Sequence, residues 1–314
     1  MQPLRKKTDM KRDVLSFLDS MGLLGTRVLR QLLRMVSLTV AAGVVCACLV
    51  RFAPGSAIDE RELDLRLNEQ SRAALQLENE ARKNLGAALS VYFHGLVHGD
   101  LGYSRSRNAP IAQLIGDGTP ETVKEVCSGL ALSWVAGLGL ALLSGESGAG
   151  RILGFGAMSA TGVLLSLPAA LLAYLCLSAG AKVEIVFALV LTPKIYRICS
   201  SLLNQARSAA HVEIARAWGL SEIRILLVYV LPGATPQIVA LAATTVALAV
   251  GAAIPIETIC DVPGIGRLAW QAATARDLPL LVNLTMLVAL STTAAAAASE
   301  WIPASASLKR EAVA

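Results

Sequence analysis

The chain has 314 residues, 54% of them hydrophobic and only 16% charged, and its 28 Lys and Arg against 23 Asp and Glu give a formal net charge of +5. With a mean hydropathy of +0.58, that balance excludes an ordinary water-soluble globular domain. The charges are also clustered, leaving runs long enough to supply the ~20 apolar residues that a helix needs to cross ~30 Å of hydrocarbon.

Residues 1–34 read as a cytoplasmic amphipathic segment. Val14, Phe17, Leu18, Met21, Leu24 and Val28 recur at helical spacing among basic residues, the pattern of an interfacial helix. Eight Lys and Arg before the first span, from Arg5 to Arg34, face only Asp9, Asp13 and Asp19, which places the amino terminus on the cytoplasmic side. The first apolar run, Met35 to Phe52, is an uncleaved span, because it starts far from the amino terminus and Ala53-Pro54-Gly55 makes a poor cleavage site.

Residues 53–122 form an extracytoplasmic loop in this reading. Asp59 to Lys83 is densely charged, with Leu63, Leu67, Ala74, Leu77 and Ala81 near a helical stripe, and predicts a small solvated helix. His94 and His98 stand four apart, so one helix face could offer both to an ion. Val91, Tyr92, Phe93, Leu96 and Val97 make this an apolar interfacial stretch, where histidines need no metal, and none is assigned.

The remaining spans are Val123 to Leu143, Ile152 to Leu177, Ile185 to Leu203, Gly233 to Ile254 and Leu280 to Ala298. The fourth span of the six carries Pro193, Lys194 and Arg197, so its cations must face protein, water or the interface. Six spans return the carboxyl terminus to the cytoplasm, in keeping with Lys309 and Arg310 in a tail at 305–314. Within the core at 123–304, Ser133, Ser166, Thr244 and Thr245 either line a path or bond to their own helix carbonyls. Gly137, Gly139, Ala243, Ala247 and Gly251 suit close helix packing. Glu257 and Asp261 fit as caps of a re-entrant or interfacial helix. Cys46, Cys48, Cys127, Cys176 and Cys199 read as lipid-embedded and Cys260 as external, with no disulfide framework.

Between the fourth and fifth spans, residues 205–232 interrupt the apolar pattern with HVEIARAWGLSEIRILLVYVLP, His211 to Pro232. The spacing predicts a short helix, a turn at Gly219 that uses positive φ, and a second helix leading to Pro232 in the first turn of the next span. Ala215 and Ala217 are small enough for close docking, and Glu213, Arg216, Glu222 and Arg224 offer charges to a soluble partner. Neither a phosphate-binding glycine loop nor a Ser-His-Asp constellation is present, so no catalysis and no cofactor are expected of this chain. An intramembrane enzyme is the reading from a different class, and turnover by the chain on its own would mark it.

Glu213, Ala215, Gly219 and Leu231-Pro232 resemble the Glu-Ala-Ala loop of ABC importer permeases, with Ile214 in place of the second position and Tyr229 in place of the usual Ile. The resemblance narrows to the dipeptide, oligopeptide and nickel permease family on Gly99-Asp100-Leu101-Gly102, Ser104, Pro110 and the Thr119-Pro120-Glu121-Thr122 entry to the second span. It continues through Ser166-Leu167-Pro168, Arg197, Ala215 to Leu220, Glu257, Pro263-Gly264-Ile265-Gly266 and Arg276-Asp277-Leu278-Pro279. Each piece is short; their common order over most of the chain carries the resemblance. Departures are a short segment between the third and fourth spans, Ser178 to Glu184, and Trp218 where Lys is usual. The run Ala294 to Ala298 stands near the last span's usual Asn and Asp, with Glu300 near the Asp position, and the usual Asp-Pro-Arg ending is missing.

The resemblance implies an all-α, polytopic membrane protein with six transmembrane helices, like a type I ABC importer permease with a cytoplasmic coupling helix. The ATPase-coupling residues it implies are Glu213, Ala215, Arg216, Gly219, Leu220, Glu222 and Pro232. The implied setting is a bacterial inner membrane, with cytoplasmic ABC ATPase subunits, a second permease subunit in a heterodimer, an extracytoplasmic solute-binding protein and the lipid bilayer as partners, and no nucleic acid. Short peptides are the expected cargo. The alternatives are a nickel importer permease, an ABC exporter subunit and a non-transport regulatory membrane subunit.

Overall fold

The computed structural model describes residues 26, 28–50, 95, 98–145 and 148–311, with side chains as far as residue 300. The charged helix expected at Asp59 to Lys83, most of the amino-terminal amphipathic segment and His94 lie outside the described residues. Six helical stretches among the described residues are long and apolar enough to span a bilayer. Helix α1 is Val28–Val50. A small antiparallel hairpin follows, with β1 (Tyr103–Ser104) paired to β2 (Ala109–Pro110), and then α2 (Ile111–Leu143). Next come α3 (Gly148–Ser166), α4 (Ala169–Ser178) and α5 (Val183–Arg207). Helix α6 (Ala210–Ala217) and α7 (Glu222–Ile225) lead through a π-helical turn, Leu226–Val230, into α8 (Leu231–Ile259). The chain ends in α9 (Ile265–Thr274) and α10 (Leu278–Glu311).

Three of these elements depart from the expected spans. Helix α2 begins at Ile111, twelve residues ahead of the apolar run read at Val123. At a rise of about 1.5 Å per residue it is far longer than the hydrocarbon is thick, so polar residues near its start stand beyond the apolar run. The third run, Ile152 to Leu177, forms two helices rather than one, because Pro168 has no N–H for the ladder and sits in extended backbone as the N-cap of α4. The segment from Glu222 to Ile259 is one continuous helical path, longer than the span read from Gly233, and Pro232 takes the expected place in the first turn of α8 within it. The π turn sits directly ahead of Pro232, where the ring would otherwise meet the carbonyl four residues back and where one N–H is missing.

Packing at the centre follows from side-chain size. Along α2, Glu125, Gly129, Ser133, Gly137 and Ala141 are buried at four-residue intervals, a stripe of mostly small residues. Helix α5 runs parallel to that stripe. A Cβ on Gly129 would strike Phe187, and one on Gly137 would come within 2.8 Å of Ile195. Only glycine permits this approach, which lets two backbones meet in a solvent that gives no hydrophobic push between helices. Gly139 and Gly251 meet nothing within 4 Å, so of the glycines expected to aid packing only Gly137 does so inside the chain. The buried Ser133 donates to Gly129 O at 2.6 Å, and Thr245 donates to Ala242 O at 2.7 Å while accepting from Trp134 Nε1 at 3.1 Å. Both hydroxyls therefore serve the helix framework. Helix α1 lies antiparallel to α10, with Gly43 against Met286, Thr285 Oγ1 donating to Cys46 Sγ at 3.3 Å and Arg34 paired with Glu300 at 3.4 Å.

Candidate coupling site

The segment from α6 to α7 carries six of the seven residues assigned to coupling, and the seventh, Pro232, lies in the first turn of α8. Helix α6 ends in two hydrogen bonds that follow the Schellman pattern, Gly219 N–H to Arg216 O at 3.0 Å and Leu220 N–H to Ala215 O at 3.4 Å. Gly219 has φ of +74°, the left-handed conformation this motif requires at its end. Ser221 then adopts extended backbone and α7 starts at Glu222. The helix–glycine–helix arrangement read from spacing is thus present. Arg216 Nε donates to Glu222 at 3.2 Å, closing the turn with an ion pair whose side chains are 42% and 73% exposed. A pair so open contributes little stability.

The expected docking role of Ala215 needs correction. Ala215 is 1% exposed and joins Val212, Ile225 and Leu203 in the main core, with Leu220 packed beside it. It faces its own bundle, so its small size serves the seat of α6 on the spans and not a docked partner. The outward face carries different residues. Ile214, Trp218 and Ile223 are 53%, 75% and 73% exposed, and Glu213, Arg216, Glu222 and Arg224 are exposed around them. Sequence reasoning passed over the three apolar residues. The available signal was the i, i+4 pair Ile214 and Trp218, which forms a second apolar edge beside Val212 and Ala215 on a helix of eight residues. Pro232 is exposed near a cavity of about 350 Å³ that also takes in His211, Tyr229 and Gly233, with the His211 and Tyr229 ring centroids 6.5 Å apart.

At the opposite end of the bundle, the short motifs scattered through the sequence come together. Asp277 is 4% exposed, and its Oδ2 accepts from Ser104 Oγ at 2.7 Å, Ser106 Oγ at 2.8 Å and Ser106 N–H at 2.9 Å. Asp277 Oδ1 accepts from Leu280 N–H at 3.3 Å at the start of α10. Asp100 Oδ1 accepts from Gly102 N–H at 2.8 Å, and Asn283 Nδ2 donates to Leu101 O at 2.9 Å. The hairpin is thereby clamped to α10. Glu257, fully buried, caps α9 by accepting from Gly266 N–H at 2.8 Å and Arg267 N–H at 3.3 Å, and Thr122 Oγ1 accepts from Ile265 N–H at 2.7 Å. A Cβ on Gly264 would collide with the Glu257 carboxylate. Asp261, at φ of +58°, ends α8 and pairs with Arg267 at 2.8 Å. Glu257 acts as a structural cap, as its position suggested, whereas the exposed carboxylate of Asp261 pairs with the Arg267 side chain instead of capping the helix. No group of three metal-ligating side chains occurs among the described residues, and all six cysteines are free.

A helical bundle with six candidate spans, an exposed charged and apolar helix pair feeding straight into one span, and a polar clamp at the far end describes a multi-pass membrane protein of the permease class. The family of binding-protein-dependent transport system inner membrane components matches residues 136–304, more than half of the chain. The chain belongs to that family: it is the membrane permease subunit of an ABC importer, built on the type I importer fold. It is 25% identical over 291 residues to a Brucella ovis protein provisionally named a peptide permease, covering 83% of this chain and 91% of that one. Shorter matches relate it to the dipeptide transport system permease protein DppB of Haemophilus influenzae, 33% identical over 95 residues covering 30% of this chain and 28% of that protein. The Escherichia coli DppB is 32% identical over 95 residues, again 30% of this chain and 28% of that protein.

Proposed function

We propose that this chain is a permease subunit for short peptides in a bacterial inner membrane, with both termini in the cytoplasm, and that the segment from α6 to α7 docks on a cytoplasmic ABC ATPase. The peptide assignment draws on the names of the relatives. The orientation draws on the basic residues ahead of α1. The observation that carries the coupling role is the exposed group Ile214, Trp218 and Ile223 set among Glu213, Arg216, Glu222 and Arg224 on a segment continuous with a span. Aromatic and aliphatic side chains with a charged rim are what a desolvated protein interface uses.

The mechanism follows from that continuity. When two ATPases close on ATP they displace the docked segment, and the helical path from Glu222 to Ile259, 38 residues or about 57 Å at 1.5 Å per residue, carries the displacement across the membrane. Gly219 sets the angle between α6 and α7, and the buried Val212, Ala215 and Ile225 seat both helices on the bundle when load is applied. The π turn at Leu226–Val230 is the natural place for the lever to flex. A second permease subunit completes the path, and a loaded binding protein approaches the hairpin end from outside. This chain would supply a route and a lever; ATP hydrolysis belongs to its partners.

The test is co-purification. The wild-type chain should bring down an ATPase, a second permease and a binding protein loaded with peptide, and loaded binding protein should stimulate ATP hydrolysis. A chain that purifies without an ATPase refutes the coupling role. For orientation, a single cysteine at Asn108 should react with an impermeant reagent added outside intact cells, and one at Gln205 should not; the reverse pattern inverts the topology.

A further inference from the structure

Helix α5 carries two cations in the middle of a span. Lys194 lies eleven residues from the start of α5 at Val183, about 17 Å along its axis, and Arg197 is about 4.5 Å further. Both side chains are exposed. Neither has a carboxylate or a hydrogen-bond partner among the described residues. A helix of 25 residues leaves both near mid-depth, too far from either surface for a lysine stem to reach polar headgroups with ease. Charge there is tolerated only on a wet path or against an opposite charge. Lys194 also lines a cavity of about 210 Å³, with Leu167, Ala169 and Leu172 at the break between α3 and α4, Leu191 on α5 and Leu248 on α8. Apart from Lys194, the lining is apolar or backbone.

We infer that Lys194, with Arg197 one turn away, forms a passing site for the carboxylate of the cargo inside the translocation path. An apolar cavity with one cation at its wall fits an anionic group attached to an apolar body, which is the chemistry of a peptide's carboxyl end and its last side chain. The neighbouring chain break supports the same use. Leu167 and Pro168 interrupt a spanning helix where irregular backbone is stable only beside protein or a cavity. Among the described residues the cations have no partner, so a carboxylate would be attracted without displacing one, and release would need no ion pair to be rebuilt. This inference rests on reading the chain as an importer permease for peptides. An acidic residue of the second permease is the competing source of the opposite charge.

The experiment uses the complete transporter in proteoliposomes, with a short peptide and its carboxyl-terminal amide each preloaded on the binding protein. Peptide moved per ATP hydrolysed is recorded for wild type, Lys194→Met, Arg197→Met and Lys194→Arg. Wild type should favour the free acid. Lys194→Met should lower free-acid transport tenfold or more with the amide unchanged, Arg197→Met should do so more weakly, and Lys194→Arg should restore the preference. Both apolar variants suit a membrane span, so insertion and subunit pairing should persist. Equal losses for acid and amide, or unaltered discrimination in both apolar variants, overturn the inference. Loss of pairing with the second permease also overturns it, since the cations would then be interface partners. A wild-type transporter that moves neither peptide refutes the peptide reading and this inference together, whereas a working transporter blind to the carboxylate refutes only the inference.

Discussion

The two ends of this bundle use similar residues to opposite purpose. At the hairpin end Asp277, Glu257, Ser104 and Thr122 are turned inward and bonded to backbone or to one another. At the α6 end Glu213, Glu222, Arg216 and Arg224 are turned outward, with the exposed apolar Ile214, Trp218 and Ile223 among them. Buried polar groups that satisfy each other fix one arrangement. Exposed charge around exposed apolar surface leaves stability aside and offers area to another chain. The first end is therefore a scaffold, and the second is the contact surface proposed for the ATPase.

Substitutions can break that contrast. The largest effect is expected from Asp277→Ala, which strands Ser104 in the interior and removes acceptors from Ser106 and Leu280; it should cost about 3–5 kcal/mol and lower the unfolding temperature of the purified protein sharply. A wild-type melting curve would show that the clamp is ornamental. Ala215→Arg is the next largest, about 2–4 kcal/mol, since a charged chain is forced into the core beneath α6. Reduced abundance in the membrane is the readout, and normal abundance would restore the view that Ala215 faces a partner.

The contact surface predicts a different pattern. Trp218→Ser combined with Ile223→Ser should leave abundance and melting unchanged and weaken ATPase association at least tenfold, about 1.4 kcal/mol; pull-down against wild type decides it. Gly219→Val meets no neighbouring atom, so only its left-handed backbone is strained, at about 1 kcal/mol, and the loss should appear in coupled hydrolysis more than in folding. The smallest effect concerns Cys260. Burial, aided by nearby Cys176 and Glu125, raises its thiol above the ordinary range. Less thiolate is then present at neutral pH, so alkylation should be slower than at an engineered cysteine in place of Asn108, with the gap narrowing as pH rises. Equal rates at pH 7 would mean that Cys260 is open.

Much of this was legible in one dimension, because the responsible physics is local. Long apolar runs fix spanning helices whatever they pack against, and they fixed six here. Pro168 breaks a helix by its missing N–H, yet the apolar run across it, Ile152 to Leu177, hid the break because hydropathy does not register backbone geometry. Gly219 ended α6 as its spacing required, since a left-handed residue at a helix end is a local choice.

What tertiary structure decided was direction and distance. On an eight-residue helix with two apolar edges, only the rest of the bundle determines that Val212 and Ala215 face in while Ile214 and Trp218 face out. No local rule joins Ser104 to Asp277 across 173 residues. The composition alone settled that this protein lives in a membrane, because solvation energy is a sum over residues. Which polar residues became scaffold, surface or path depended on what each met once the helices had assembled, because a hydrogen bond or a buried contact exists only between groups that the fold has brought within a few ångströms.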